Sequence, residues 1–308
     1  MKTVAFLGPQ GTLSEEALMS QDDLSKANHV PMDDVYEIVQ AVENGEVDYG
    51  IVPLENSIEG SVNATLDALT FESSEVLIER EVVIDVDLNL LGLPGADVEN
   101  IDIVFTHPHA LGQCRRYLSS RLPRARVEAA ISTADAARRV AQAGDARQGA
   151  VATRLAAELY RLEVLANDIA DYPDNATRFV VLGRSIPPPT GADKTTVVCF
   201  QQEDRPGSLL EILQEFAARS INLTKIESRP TKRGLGQYCF LVDFEGHVAD
   251  AVVGDALKNL YTKLEELRFL GSYPAAIAGS AARRQAPERW AKAEEYLARI
   301  RALIASEP

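Results

Sequence analysis

The sequence predicts an α/β protein of two domains, a βα-alternating unit followed by a βαββαβ unit. Three observations carry that expectation. Short apolar or β-branched runs alternate with helix-length amphipathic stretches through residue 183, the pattern of a mostly parallel sheet covered on both faces. A proline-punctuated segment, Ser185 to Asp193, then interrupts the alternation and places the main domain boundary. Beyond it come six segments in the order strand, helix, strand, strand, helix, strand, a ferredoxin-like order. The 308 residues are 46% hydrophobic, enough for two cores at the usual ~100–200 residues per domain.

In chain order the predicted strands of the first part are Thr3 to Leu7, Tyr49 to Pro53, Ile101 to Phe105, Arg126 to Ala130, Gly149 to Ala152 and Arg178 to Leu182. Between Glu75 and Leu93 the alternation breaks. Val76 to Ile84 and Leu88 to Leu91 read as strands with no helix between them, which suits a crossing from one lobe to another. In the second part the strands are Thr195 to Gln201, Asn222 to Arg229, Gln237 to Phe244 and Leu267 to Ser272, with helices Gly207 to Arg219 and Asp250 to Leu264. After Gly279 an amphipathic tail helix is expected, with Trp290, Leu297, Ile300, Leu303 and Ile304 near helical spacing. It either packs on its own chain or contributes to an oligomer contact.

Charge excludes several classes of partner. The net charge is -15, and the first 110 residues alone carry 22 acidic and 3 basic side chains. A phosphate-binding footprint is missing, so neither nucleic acid nor an anionic membrane is expected as a partner. Three widely spaced cysteines, Cys114, Cys199 and Cys239, make neither a disulfide framework nor a CxxC site and read as small core residues of a reducing compartment. The first apolar run is about four residues long, too short for a signal peptide or a membrane span, and the expected location is the cytoplasm.

Ligands of open α/β sheets bind beyond the carboxyl ends of the strands, and four such places are unusually polar. The first is Gly8-Pro-Gln-Gly-Thr-Leu-Ser-Glu-Glu-Ala17, where Thr12 and Glu15 have capping-box spacing and helix N-H groups could face an anion. It has neither the P-loop ending nor GxGxxG, which argues against a nucleotide. The second is Pro53-Leu-Glu-Asn-Ser-Ile-Glu-Gly-Ser-Val62, the third Thr106-His-Pro-His-Ala-Leu-Gly-Gln-Cys114, and the fourth Asn175-Ala-Thr-Arg-Phe179. Strand alternation puts Thr177 and Phe179 on one face and Arg178 on the other. If Thr177 faces the cleft, Arg178 braces the strand or a carboxylate. A metal site on His107, His109 and Glu55 is disfavoured because Pro108 interrupts the segment, and no GxSxG elbow supports a serine hydrolase. What remains is a pocket of neutral hydrogen-bond donors with one arginine, suited to a small carboxylate.

Together the four segments resemble prephenate dehydratase, in the family's order, and the likeness extends over about residues 1 to 272. Leu223-Thr-Lys-Ile-Glu-Ser-Arg-Pro230 is similar to the ESRP signature of that family's regulatory ACT domain. Leu13, His109 and Gly207-Ser208-Leu209-Leu210 depart slightly from the common pattern. The resemblance implies a catalytic domain over 1–186 with the two-lobed fold of type II periplasmic binding proteins, a linker at 187–194, an ACT domain over 195–272 and a helical tail over 273–308.

It also implies the reaction, conversion of prephenate to phenylpyruvate with loss of water and carbon dioxide, driven by aromatisation and using no cofactor or metal. Thr177 would be the essential residue, acting as a positioned donor to the departing oxygen, with Asn56 and Gln113 as further catalytic donors. Glu55, Ser57, Thr106, His107, Arg178, Phe179 and Thr12 would line the substrate, Phe179 packing near its ring. Phenylalanine would act as feedback effector at Gly207, Ser208, Leu209, Leu210 and Asn222, with Glu227, Ser228, Arg229 and Pro230 coupling and ordering the ligand. Pairing of ACT domains implies a dimer or a tetramer. Arogenate dehydratase is the nearest rival, and a non-catalytic amino-acid sensor is the rival of another class.

Overall fold

The computed structural model describes residues 1–172, 174–203, 205–234, 236–276 and 286–303, with side chains left out at 286–291 and 294. The chain divides into two compact units. One comprises Met1–Val76 and Val82–Arg184; the other comprises Leu77–Glu81 and the chain from Ser185 onward.

The first unit contains two sheets. Its opening lobe runs β1 (Thr3–Leu7), α1 (Leu13–Met19), β2 (Asn28–Met32), α2 (Val35–Glu43), β3 (Tyr49–Asn56), β4 (Gly60–Ser61), α3 (Asn63–Asp67), a π-helical turn (Ala68–Glu72) and β5 (Leu77–Asp85). The second lobe follows as β6 (Asn89–Gly92), a 3-10 turn (Val98–Asn100), β7 (Ile103–Thr106), α4 (Pro108–Gln113), α5 (Arg115–Arg121), β8 (Arg126–Ala129), α6 (Thr133–Ala143), β9 (Gln148–Ala152), α7 (Arg154–Tyr160) and β10 (Glu163–Ala166). Strand β11 (Ala176–Gly183) returns to the first sheet, whose order is β2-β1-β3-β11-β5; the second sheet is β10-β6-β9-β7-β8. Each lobe of this unit is thus built on its own sheet, and the chain crosses between the two sheets twice. The helix-free break seen in the sequence around residue 80 is the outward crossing. Where the two crossing segments meet, the Val86 N-H donates to the Asn175 carbonyl at 2.7 Å and the Ile169 N-H to that of Leu88 at 2.8 Å.

The sheets are mixed where a mostly parallel one was expected. β1 is parallel to β2 and β3, and β7 to β8 and β9, but β11 runs antiparallel to β3, and β6 is antiparallel to both β9 and β10. Strands that enter from the other lobe arrive in the opposite sense. Local chemistry sets the helices. Val35, Ile38, Val39 and Val42 recur at helical spacing on the buried face of α2, and the Asp34 carboxylate accepts the Glu37 N-H at its start, an ordinary N-cap. The helix seats closely because β3 has a glycine beneath it: a Cβ at Gly50 would lie 2.6 Å from Ile38. Two edge strands, β2 and β10, escaped sequence reading because Asn-His-Val-Pro-Met and Glu-Val-Leu-Ala leave most positions half-exposed or exposed and so lack alternation.

The second unit has β12 (Asp193–Phe200), α8 (Ser208–Ala217), β13 (Leu223–Pro230), β14 (Tyr238–Glu245), α9 (Ala251–Lys263), β15 (Glu266–Pro274) and α10 (Ala286–Arg301). Its antiparallel sheet is ordered β13-β14-β12-β15, with Ile212, Phe216, Phe244 and Leu260 in the helix-covered core. This is the expected ferredoxin-like order. The three cysteines are all buried, and burial pushes the Cys114 and Cys199 thiols up to about 12, so these two are inert core residues. On the tail helix, which contacts α9 of its own chain, Leu297 and Ile300 are 40% and 44% exposed. The side chain of Trp290, and Ile304, lie outside the described residues. Among the described residues no helix is long and apolar enough to cross a membrane.

Candidate active site

The centre of the site is produced by strand register. β3 ends at Asn56 and β11 begins one residue before Thr177, and their antiparallel pairing sets Asn56 opposite Thr177 and Glu55 opposite Arg178. The Asn56 side-chain oxygen accepts the N-H groups of Ile58 (2.9 Å) and Glu59 (3.0 Å), an Asx turn that determines which way the amide faces. Its NH2 therefore points to β11, donating to Thr177 Oγ1 at 3.0 Å, Asn175 Oδ1 at 2.9 Å and the Ala176 carbonyl at 3.3 Å. Thr177 Oγ1 is thus an acceptor on its inner side. Its own hydrogen meets no acceptor among the described residues and is available for a ligand.

From there the polar groups continue into the second lobe. Asn175 Nδ2 donates to Gln113 Oε1 at 2.8 Å, and Gln113 Nε2 donates to the Glu59 carboxylate at 3.4 Å. Asn175 and Gln113 are 4% and 6% exposed, so these contacts lie in a largely water-excluded setting. Ser57 joins the same turn, its N-H donating to the Ala176 carbonyl at 2.9 Å and its Oγ accepting the Ala176 N-H at 3.0 Å. Neither Asn175 nor Glu59 was singled out by the sequence. Both lie in polar loops where periodicity is silent, and the only available signal was an asparagine two residues before Thr177.

Other expected residues surround this cluster or stand apart from it. Arg178 lies 3.8 Å from the Glu55 carboxylate, with their side chains 13% and 36% exposed, as the bracing alternative anticipated. His107 is the N-cap of α4, its Nδ1 accepting the His109 N-H at 3.4 Å, with Pro108 at the first helical position where proline is tolerated. Burial holds the His107 ring below the usual histidine range, and His109 adds to this, so it is neutral at pH 7. The two rings lie 5.1 Å apart, but among the described residues no three His, Cys, Asp or Glu side chains gather around a metal position.

Three expectations need correction. Thr12 does not cap α1: its hydroxyl donates to the Leu7 carbonyl at 2.9 Å, and the Glu15 carboxylate takes the Gly11 N-H at 2.6 Å. Thr106 is 1% exposed with its hydroxyl turned to the His107 carbonyl, which leaves it almost no ligand-facing surface. Phe179 lies two residues further along β11 than Thr177, past a register shift at Arg178/Phe179. At 1% exposure it packs among Val4, Phe6, Ile51 and Val181, and its ring builds the lobe core.

In the second unit, Gly207 precedes α8 with φ of +93°, a conformation costly for other residues. Gly207, Ser208, Leu209 and Leu210 line a cavity together with Gln201, Arg205, Leu213 and Phe240. Asn222 is exposed before β13. Glu227 stands between Lys225 (3.4 Å) and Arg229 (3.2 Å) on one face of β13, while Ser228 and Pro230 are exposed on the other. Asn222, Glu227, Ser228, Arg229 and Pro230 do not line that cavity.

A family model for prephenate dehydratase matches residues 4–187, and one for the ACT domain matches residues 195–260. The chain belongs to the prephenate dehydratase family. A prephenate dehydratase of Mycolicibacterium vanbaalenii is 42% identical over 89% of this chain and 91% of its own length. A bifunctional chorismate mutase/prephenate dehydratase of Aquifex aeolicus is 43% identical over 89% of this chain and 74% of its own. A solved prephenate dehydratase of Arthrobacter aurescens, in complex with L-Phe, superposes with a TM-score of 0.88 at 40% identity, covering 97% of this chain and 99% of that one. As a prephenate dehydratase with an ACT domain the chain is a hydro-lyase of phenylalanine biosynthesis. Asn56, Ser57, Gln113 and Thr177 are the members of its expected site that meet in one hydrogen-bonded cluster.

Proposed function

We propose that the Thr177 hydroxyl donates to the departing ring oxygen during elimination, while Asn56 and Gln113 orient and complete the donor set. One observation carries this reading: Asn56 donates to Thr177 Oγ1 at 3.0 Å, which leaves the threonine hydrogen for another acceptor. The balanced reaction is prephenate dianion plus one proton giving phenylpyruvate, carbon dioxide and water. As the ring carboxylate breaks away, its bonding pair enters the ring and the C-O bond to the hydroxyl opens. Negative charge therefore builds on the leaving oxygen, where a preorganised donor has its largest effect. A threonine hydroxyl is far too weakly acidic to be a free general acid, so Thr177 serves as a donor and the proton consumed comes through it or past it from water. Glu55, braced by Arg178, and neutral His107 shape the surrounding wall.

Prephenate carries two negative charges, and the first 110 residues carry 22 acidic side chains against 3 basic ones. Long-range fields therefore oppose the encounter, and salt screens that opposition over a Debye length of about 8 Å at physiological ionic strength. Raising ionic strength should raise kcat/KM or leave it unchanged, as a stopped assay across a salt series would show. A steep fall would contradict the reading that local neutral donors, and not a basic field, bind the substrate.

Phenylalanine is proposed to inhibit through the ACT domain. Its carboxylate would meet the N-H groups at the start of α8, which has no side-chain cap, and its ring would meet Leu213 and Phe240 in the cavity. Exposed apolar residues of this unit, Leu210 at 57% and Ile226 at 45%, support self-association as dimer or tetramer. The three buried, widely spaced cysteines support work in the reducing cytoplasm. Adding L-Phe should weaken substrate handling by roughly 5- to 150-fold, the usual range of allosteric coupling. Gly207→Val, forced into a left-handed conformation, should raise the half-inhibitory L-Phe concentration by roughly tenfold or more. Turnover indifferent to L-Phe in the intact chain would overturn the regulatory reading.

A further inference from the structure

The orientation of the whole amide cluster can be followed from the backbone outward. The N-H groups of Ile58 and Glu59 can only donate, so the Asn56 atom they meet, at 2.9 and 3.0 Å, is its oxygen. The Asn56 NH2 must then be the group facing Asn175 at 2.9 Å, which makes the facing Asn175 atom its oxygen. The Asn175 NH2 is left to face Gln113 at 2.8 Å, which makes that Gln113 atom its oxygen and puts the Gln113 NH2 on the side of the Glu59 carboxylate, to which one of its two hydrogens donates at 3.4 Å. Each amide has one donor end and one acceptor end, so two backbone N-H groups in the first lobe determine which end of Gln113, in the second lobe, meets a ligand.

We infer that Asn175 is a positioning residue that transmits this polarity, and that without its simultaneous acceptance from Asn56 and donation to Gln113 the Gln113 amide no longer presents NH2 to the anionic substrate. The inference rests on the site proposed above and deepens it. Asn175 suits the role because its backbone is also held where the crossing segments meet: its carbonyl accepts the Val86 N-H at 2.7 Å. No shorter side chain spans the two neighbours, and aspartate has the shape but, when ionised, no donor.

That last property makes the test. Asn175→Asp is nearly isosteric, and its neutral acid can accept from Asn56 with one oxygen and donate to Gln113 with the other, whereas its carboxylate can only accept. At pH 8 Asn175→Asp should lose roughly 10- to 100-fold in kcat/KM, the size of a charge-assisted hydrogen bond to the substrate. The ratio of variant to wild type should climb toward one as pH falls to 5. Other titratable groups around the cluster are Glu55 and Glu59 beside β3, Asp85 and Asp87 flanking Val86, and Asp171 and Asp174 on the returning segment. His107 at the start of α4 and Arg178 on β11 complete the set. All are present in both proteins, so the ratio removes their shared contribution. Asn175→Ala, which can neither accept nor donate, should lose a similar factor with a ratio independent of pH. Wild-type kcat/KM in either variant at pH 8, or a flat ratio for a folded Asn175→Asp, overturns the inference. Should Asn175→Asp fail to fold, Asn175→Ala decides it alone. Failure of the underlying site reading is distinguishable, because Thr177→Val would then remain active as well.

Discussion

Replacing Thr177 by Val should lower kcat about 10²- to 10³-fold, because removal of one donor from a developing oxyanion costs ~2.7–4 kcal/mol. Valine has nearly the shape of threonine, so packing at this site, where the side chain is 7% exposed, is kept. The loss in folding stability should stay near 1 kcal/mol, arising from the Asn56 NH2 that no longer has the Oγ1 acceptor. Thr177→Ser keeps the hydroxyl but frees its rotation, and should fall between valine and the wild type. Phenylpyruvate formation together with denaturant unfolding of all three proteins checks both parts. A Thr177→Val protein with wild-type kcat would remove Thr177 from the chemistry.

Asn56 should show two separable functions. Asn56→Leu removes the acceptor of the Ile58 and Glu59 N-H groups and the donor to Thr177 and Asn175 together. It should cost about 1–3 kcal/mol of stability, the usual cost of leaving such groups unpaired, and roughly 10²-fold or more in kcat. Asn56→Asp keeps the acceptor and so keeps the turn, yet its carboxylate can only accept, and it cannot hold the Thr177 lone pair. That variant should unfold close to the wild-type midpoint while still losing roughly 10²-fold in kcat. Equal losses of stability and activity in the two variants would show that Asn56 is structural only.

The division between what could and could not be read from the sequence follows from how far each signal travels along the chain. The run Thr3 to Leu7 and the expected helix Gly207 to Arg219 rest on local signals, and both appear as elements in the fold. The crossing near residue 80 was legible because two strands without an intervening helix break the βα rhythm. The sense of β11 was not, since direction depends on the lobe from which a strand arrives. Thr177 and Asn56 were legible as polar residues at strand ends, but their pairing is a matter of register between segments 121 residues apart. Phe179 illustrates the limit of alternation, which says nothing of a side chain's depth. Asn175 shows the same limit for loops, because its importance lies in two partners, at positions 56 and 113, that no pattern around it encodes.

Decarboxylative dehydration by this chain uses a donor set built for prephenate. The most direct test incubates the purified intact protein with prephenate and, separately, with arogenate, and follows phenylpyruvate and phenylalanine. Prephenate should give phenylpyruvate and carbon dioxide in equal amounts, with kcat/KM for prephenate above that for arogenate. Phenylalanine from arogenate with no phenylpyruvate from prephenate, or no product from either, would contradict it.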